Sequence, residues 1–191
     1  MSIARPNKIH PKLFALVLGF ASIFMMFAGF TSAYVVKKMA GSWLDYEFPS
    51  MFYISTIIIL TASLTLHIGY YAFKNGKEWL YKSMLLISFI LGIAFLACQY
   101  KGFLQITVEQ GLSFGINSSV SFPIVMAGVH GAHIIGGLAA ILLAIIHAFA
   151  LKFKFTEVRK LRYQLTLWYW HFVDILWLYL LIFFHTQQTS I

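Results

Sequence analysis

The feature that most constrains this chain is a carboxylic acid near the middle of an apolar segment long enough to cross a bilayer. The segment runs from Leu165 to Phe184, and Asp174 lies close to its centre. An ionisable group at that depth costs about 2.5–3.5 kcal/mol on insertion scales, so it normally has a partner and a function. Asp174 is therefore the first candidate functional residue.

The aromatic residues around this acid indicate which way it points. At about 100° per residue, Trp170, Asp174 and Trp177 share one helix face, and His171 lies at its edge. Trp168 completes the run Trp168–Trp177. This pattern predicts that Asp174 faces protein and not lipid.

Composition identifies the class of protein. The chain has 191 residues, of which 60% are hydrophobic and only 10% charged, so it is an integral membrane protein. The formal charge of +8 does not indicate nucleic-acid binding, because the basic residues fall between long apolar runs instead of forming one patch. Cys98 is the single cysteine, which excludes an internal disulfide and a cysteine-based metal site.

Five apolar stretches have the length that a bilayer requires. They must be helices, since lipid cannot satisfy open backbone groups. The sequence thus predicts an all-α membrane protein, a bundle of five transmembrane helices forming a single membrane domain over residues 1–191. The first run is too long for a removed signal peptide. The spans lie near 13–36, 50–73, 83–105, 123–151 and 163–185.

The basic residues predict the orientation of the bundle. Eleven of them lie before the first span or in the two loops on the same side: Arg5, Lys8, Lys12, Lys74, Lys77, Lys82, Lys152, Lys154, Arg159, Lys160 and Arg162. Only Lys37, Lys38 and Lys101 lie on the other side. By the positive-inside rule the N-terminus is cytoplasmic and the C-terminus external.

The first four spans each carry one small or polar face. Such faces are typical of packed membrane helices, because small residues allow close approach and polar ones hydrogen-bond between helices. The faces are Ala15, Gly19, Ser22, Gly29 and Ala33; Thr56, Ser63, His67 and Tyr70; Ser88, Gly92, Gln99 and Gly102; and His130, His133, Gly137, Ala140, Ala144 and His147.

Two further interpretations of the polar residues stay open. His67, His147 and His171 fall within about one turn of depth, which is compatible with a metal or haem. Alternatively Asp174 relays protons, although the other acids lie in loops or near span ends.

The last third of the chain resembles subunit III of haem–copper respiratory oxidases, the cytochrome c and quinol oxidases. The resemblance rests on Val129–Gly136 (VHGAHIIG), on Trp168–Trp177 (WYWHFVDILW) and on the basic segment Leu151–Phe155 between them. Gln99 fits the family's glutamine more loosely. The chain resembles the short bacterial form with five spans, and Gly102 stands where the family often has a glutamate, so that carboxylate's role does not transfer.

The resemblance implies an accessory subunit of a proton-pumping terminal oxidase, non-catalytic by itself, in the bacterial inner membrane. It would pack on subunit I, share the complex with subunit II, hold phospholipid, and support turnover and proton uptake. It would have no cofactor of its own, with haems and copper in partner subunits. The alternatives are the related accessory protein of nitric oxide reductase and, further off, a stand-alone transporter or a cytochrome b. The residues for structural, subunit or lipid contact are Gln99, His130, His133, Trp168, Trp170, His171, Asp174 and Trp177.

One specific contact can be predicted. His133 lies 10 residues from Pro123 and Asp174 lies 11 residues from His185, so the two have similar depth in consecutive antiparallel helices. We expect Asp174 to hydrogen-bond to His133 or His130 and lock span four to span five.

The orientation has a direct test in a Cys98→Ser background. A single cysteine in place of Ser113 should react with a membrane-impermeant thiol reagent added outside, and one in place of Lys77 should not. The reverse labelling pattern would invert the topology.

Overall fold

The computed structural model describes residues 10–41, 43–44, 46–112, 114–115 and 117–189, with side chains up to residue 187. Arg5, Lys8 and Ser113, which the orientation argument uses, lie outside these residues. The described part of the chain contains five long helices and no β-strand, which confirms the all-helical fold. The helices are α1 (Pro11–Met39), α2 (Met51–Lys74), α3 (Glu78–Leu104), α4 (Ser118–Ala150) and α5 (Glu157–Thr189), and α3 continues as a π-helical segment, Gln105–Glu109.

All five helices are long and apolar enough to cross a membrane. α4 and α5 begin before their predicted apolar stretches, and at each start a polar side chain caps a free N–H group. Asn117 Oδ1 accepts from the Ser119 N–H at 2.8 Å, so α4 begins at Ser118 and not near residue 123. Thr156 Oγ1 accepts from the Arg159 N–H at 3.3 Å in the same way for α5.

α2 and α3 form an antiparallel pair with extensive contact. The turn between them places Gly76 at φ +72°, a conformation that glycine adopts without strain. Small and polar residues face the partner helix: the Thr65 and Ser88 hydroxyls are 2.8 Å apart, and a Cβ on Gly102 would lie 2.5 Å from the Phe52 ring. Close approach between these helices therefore depends on residue size.

α5 occupies the centre of the bundle and packs against α1, α2 and α4. Its buried face includes Trp170, Val173, Asp174, Leu176 and Trp177. α1 is peripheral, packing on α4 and α5 through Phe27, Thr31 and Tyr34. No neighbouring atom lies within 4 Å of a Cβ built on Gly19 or Gly29, so the small face of α1 is not used within the described bundle.

The ends of the helices opposite the basic loops are tied by hydrogen bonds. Glu47 and Gln110 bond twice, the Glu47 N–H to Gln110 Oε1 at 3.1 Å and Gln110 Nε2 to the Glu47 carbonyl at 2.9 Å. Lys38 Nζ donates to the Gln187 carbonyl. These bonds fix the loop between α1 and α2 and hold α5 against α1 at this end.

Candidate functional site: the polar core around α5

The polar residues of α5 meet those of α2 along most of the interface between the two helices. We call this set the α2–α5 seam, and its members are Thr56, Ser63, His67 and Tyr70 of α2 with Gln164, His171 and Trp177 of α5. At the basic end, Gln164 Nε2 donates to the Tyr70 hydroxyl at 2.7 Å. One turn further along α2, the Leu66 carbonyl accepts a hydrogen bond from the Tyr163 hydroxyl of α5 at 2.9 Å.

His171 is the centre of the seam. Its Nδ1 lies 2.5 Å from the Ser63 hydroxyl, and its Nε2 lies 3.3 Å from Nδ1 of His67. Both imidazoles are half-buried. Of the three histidines predicted to share a depth, His67 and His171 meet, whereas His147 lies at the end of α4 and lines a separate cavity.

Trp177 closes the seam on the other side of Asp174. Its indole N–H donates to the Thr56 hydroxyl at 2.9 Å, and the side chain is 1% exposed. Its ring centroid lies 5.4 Å from that of His130 and 5.5 Å from that of Phe95. His130, 1% exposed, thus lies in an aromatic cage that Phe27 completes at 6.5 Å. Its two ring nitrogens have no hydrogen-bond partner among the described residues.

Trp170 fits into notches made by glycines. A Cβ on Gly92 of α3 would lie 2.9 Å from Trp170 Cη2, and one on Gly137 of α4 would lie 3.1 Å from its Cε3. These two glycines let α3 and α4 approach the largest side chain of α5. Trp168, by contrast, is 45% exposed and points out of the core.

Asp174 is 3% exposed, which agrees with the prediction that it faces protein. The predicted hydrogen bond to His133 or His130 is wrong. The Ser63 hydroxyl of α2 lies beside the carboxyl group, but neither carboxyl oxygen has a partner with hydrogen-bond geometry within the described chain. His133 Nδ1 instead lies 2.8 Å from the Val129 carbonyl of its own helix.

α4 and α5 are linked by a different contact. The Tyr169 hydroxyl donates to the His133 carbonyl at 2.9 Å, so α5 binds the backbone of the residue whose side chain was expected to bind Asp174.

Gln99 of α3, 7% exposed, donates from Nε2 to the Ser55 hydroxyl of α2 at 2.8 Å. Ser55, Tyr163 and Tyr169 were not among the predicted contact residues.

The arrangement bears on the interpretation as a metal or haem site. Among the described residues no three His, Cys, Asp or Glu side chains converge to hold a metal ion. His67 and His171 approach each other at hydrogen-bond distance on one side of Asp174, and His130 lies against Trp177 on the other. The geometry is that of a buried polar network.

The sequence of the chain is similar to those of known proteins. The family model for cytochrome c oxidase subunit III matches residues 12–188. The chain is 27% identical to a probable cytochrome c oxidase subunit 3 of Nocardia farcinica, over 93% of this chain and 87% of that protein. It is 28% identical to the cytochrome c oxidase subunit 3 of Corynebacterium diphtheriae, over 95% of this chain and 89% of that protein. For the mouse subunit 3 the identity is 29%, over 68% of this chain and 47% of the mouse protein. The matched region thus spans about half of the mouse relative.

The fold and polar core define a multi-pass helical membrane protein whose spans are fastened to one another by buried hydrogen bonds. Within that class, the chain belongs to the cytochrome c oxidase subunit III family, as the match over nearly its whole length shows.

The Trp177–Thr56 bond predicts the effect of a conservative change. Trp177→Phe removes a buried interhelical hydrogen bond and part of the contact with His130, so we expect the free energy of unfolding in detergent to fall by about 1–3 kcal/mol. Trp168→Phe is the matched control on the same helix, and at an exposed position its effect should stay within about 0.5 kcal/mol. Equal effects of the two substitutions would contradict the assigned burial.

Proposed function

We propose that this chain is the accessory subunit III of a haem–copper terminal oxidase in a bacterial cytoplasmic membrane, with its N-terminus inside. It packs on subunit I, shares the complex with subunit II, and has no redox centre of its own. The haems and copper belong to the partner subunits. The observation that carries this proposal is the match to the subunit III family over residues 12–188.

The described structure is compatible with a supporting role. Several polar groups of the core hold helices together, as in the bonds of Trp177 to Thr56 and of Gln99 to Ser55. A rigid bundle of this kind would present fixed helix faces to subunit I. Support for turnover and proton uptake is part of the proposal.

Phospholipid binding has a candidate location in a cavity of about 420 Å³ at the end of the bundle that bears the basic loops. The cavity lies between the start of α1, the end of α4 and the start of α5. Its walls include Leu143 and Ala144, and its basic lining residues are Lys12, His147, Arg159 and Arg162. Basic pockets between membrane helices on the cytoplasmic side suit anionic lipid headgroups.

The shape of the cavity fits one lipid orientation. Arg159 Nη1 donates to the Lys152 carbonyl at 3.0 Å, which holds the α4–α5 loop in place beside the cavity. The basic side chains lie at the helix ends, while Ala140 lies about 10 Å deeper than His147 along α4. An anionic headgroup would therefore bind near Lys12 and Arg162, with acyl chains along the apolar wall of α4.

Lys12→Gln combined with Arg162→Gln should reduce the anionic phospholipid that the purified complex retains. Each basic residue near a headgroup contributes about 1 kcal/mol, so losing two predicts about thirtyfold weaker binding. Mass spectrometry of lipids extracted after detergent exchange provides the measurement. Lys74→Gln combined with Lys77→Gln removes the same charge on the same side but outside the cavity, and should leave the lipid content unchanged. Equal loss in both variants would mean a diffuse charge effect and no site.

Co-purification tests the assembly directly. The tagged chain, extracted in mild detergent, should retain a large haem-bearing subunit. The purified complex should consume oxygen when an electron donor is supplied. The tagged polypeptide, once separated from its partners, should be colourless. Recovery of the chain alone would refute the proposal, a haem band in the separated chain would favour a cytochrome b, and a complex that reduces nitric oxide would favour the alternative accessory role.

A further inference from the structure

The core of the bundle contains neighbouring groups that can exchange protons, which we call the Asp174 column. It consists of Asp174, Ser63, His171 and His67. The Ser63 hydroxyl lies beside the Asp174 carboxyl and 2.5 Å from His171 Nδ1. His171 Nε2 lies 3.3 Å from His67 Nδ1. Along α5, His171 lies three residues nearer to the basic end than Asp174, and along α2, His67 lies four residues nearer to that end than Ser63.

Every member of the column between its ends can both accept and release a proton. A neutral imidazole has one N–H donor and one acceptor nitrogen, and both nitrogens of His171 face column members. A serine hydroxyl likewise donates and accepts. Ser63 can reach either neighbour because its Oγ moves by rotation about a single bond.

One end of the column lies near the basic loops. His67 is half-buried, and its ring centroid lies 5.1 Å from that of Tyr71, one turn nearer to the end of α2. Seven residues separate His67 from Lys74 at the end of α2, a distance of about 10 Å. His67 is therefore the member closest to the aqueous phase on the side of the basic loops.

The other end is closed. Beyond Asp174 lie Ile59 at 0%, Phe95 at 0% and Trp177 at 1% exposure. The indole N–H of Trp177 can donate but not accept, and it is bonded to Thr56. The Thr56 hydroxyl in turn bonds the Phe52 carbonyl at 2.7 Å. Within the described chain, exchange therefore has no continuation past Asp174.

Asp174 itself is suited to hold a proton. It is 3% exposed and no described cation bonds to it. Among the described residues, His171 from α5 and His67 from α2 are half-buried and His130 from α4 is buried, while α3 contributes the neutral Ser88 and Gln99. Burial without a paired cation makes the ionised form of a carboxyl group costly, so a route that brings a proton to it has a physical benefit.

We propose that the Asp174 column is a dead-end proton-storage branch, which loads Asp174 from the side of the basic loops and does not cross the membrane. A proton binds the free nitrogen of His67 as its Nδ1 proton passes to His171 Nε2. His171 Nδ1 then releases its proton to Ser63, and the Ser63 hydroxyl proton passes to the Asp174 carboxylate. The net change is one proton taken from water and one carboxylate converted to a carboxylic acid, and nothing is oxidised or reduced.

The role of this branch rests on the proposed function. In an oxidase that takes up protons from the cytoplasm, the column would hold one proton on the uptake side without creating a leak. The physical claim about the column is separate from that role, since it concerns exchange between Asp174 and water.

Infrared spectroscopy of the purified complex tests the claim. The C=O band of protonated Asp174 is identified by its loss in Asp174→Asn, and its shift after transfer to D₂O gives the exchange rate. His171→Gln keeps hydrogen-bonding groups but cannot pass a proton through its side chain. His171→Gln should slow the exchange by about tenfold or more. This is less than the rate enhancement of about a hundredfold or more that one positioned acid–base group typically provides. His67→Gln should slow it similarly, so the test does not depend on one position.

The matched control is His133→Gln, at a half-buried histidine whose Nδ1 faces its own helix. It should exchange at the wild-type rate. A wild-type rate in His171→Gln or His67→Gln would overturn the proposal, as would equal slowing in His133→Gln. If Asp174→Asn removed no carboxyl C=O band, Asp174 would be ionised in the wild type, and this result would also overturn the proposal. Isolation of the complex tests the proposed function beforehand, so the two can fail separately.

Discussion

The bundle depends on the pairing of α2 with α5. A polar side chain in a membrane helix needs a partner in the protein, because lipid offers none. Every α2 member of the α2–α5 seam finds one on α5: Thr56 bonds Trp177, Ser63 and His67 contact His171, and Tyr70 bonds Gln164. With the two helices fixed, the remaining face of α5 is left for α4 and α1.

The same pairing explains how Asp174 is accommodated. Trp170 on one side fills the glycine notches of α3 and α4, and Trp177 on the other lies against His130 and Phe95. The carboxyl group is thus enclosed by large side chains, with Ser63 as its polar neighbour from α2. A buried acid held in this way is retained at a cost in stability, which is the usual sign of a functional group in a membrane protein.

Much of this architecture could be predicted from the sequence, because length and hydropathy determine membrane helices. The polar stripe on the second span was also evident, and all four of its residues contact α5. The partner was misassigned: consecutive antiparallel helices suggested that Asp174 would meet His133, but the imidazole of His133 lies at hydrogen-bond distance from the Val129 carbonyl. Helix rotation and the choice among non-consecutive partners depend on side-chain packing, which periodicity does not encode. For the same reason the small face of the first span gave no sign that it would lie outside the bundle.

The most direct test of the seam is a double-mutant cycle between Thr56→Val and Trp177→Phe, measured as the free energy of unfolding in detergent. The two positions are 121 residues apart in sequence, so they can couple only through the α2–α5 contact. Either substitution alone breaks the hydrogen bond between Trp177 and Thr56. The second substitution should therefore lower the free energy of unfolding less in the presence of the first than it does alone. The account predicts a coupling energy of about 0.5–2 kcal/mol. Effects of the two substitutions that add within about 0.3 kcal/mol would contradict it.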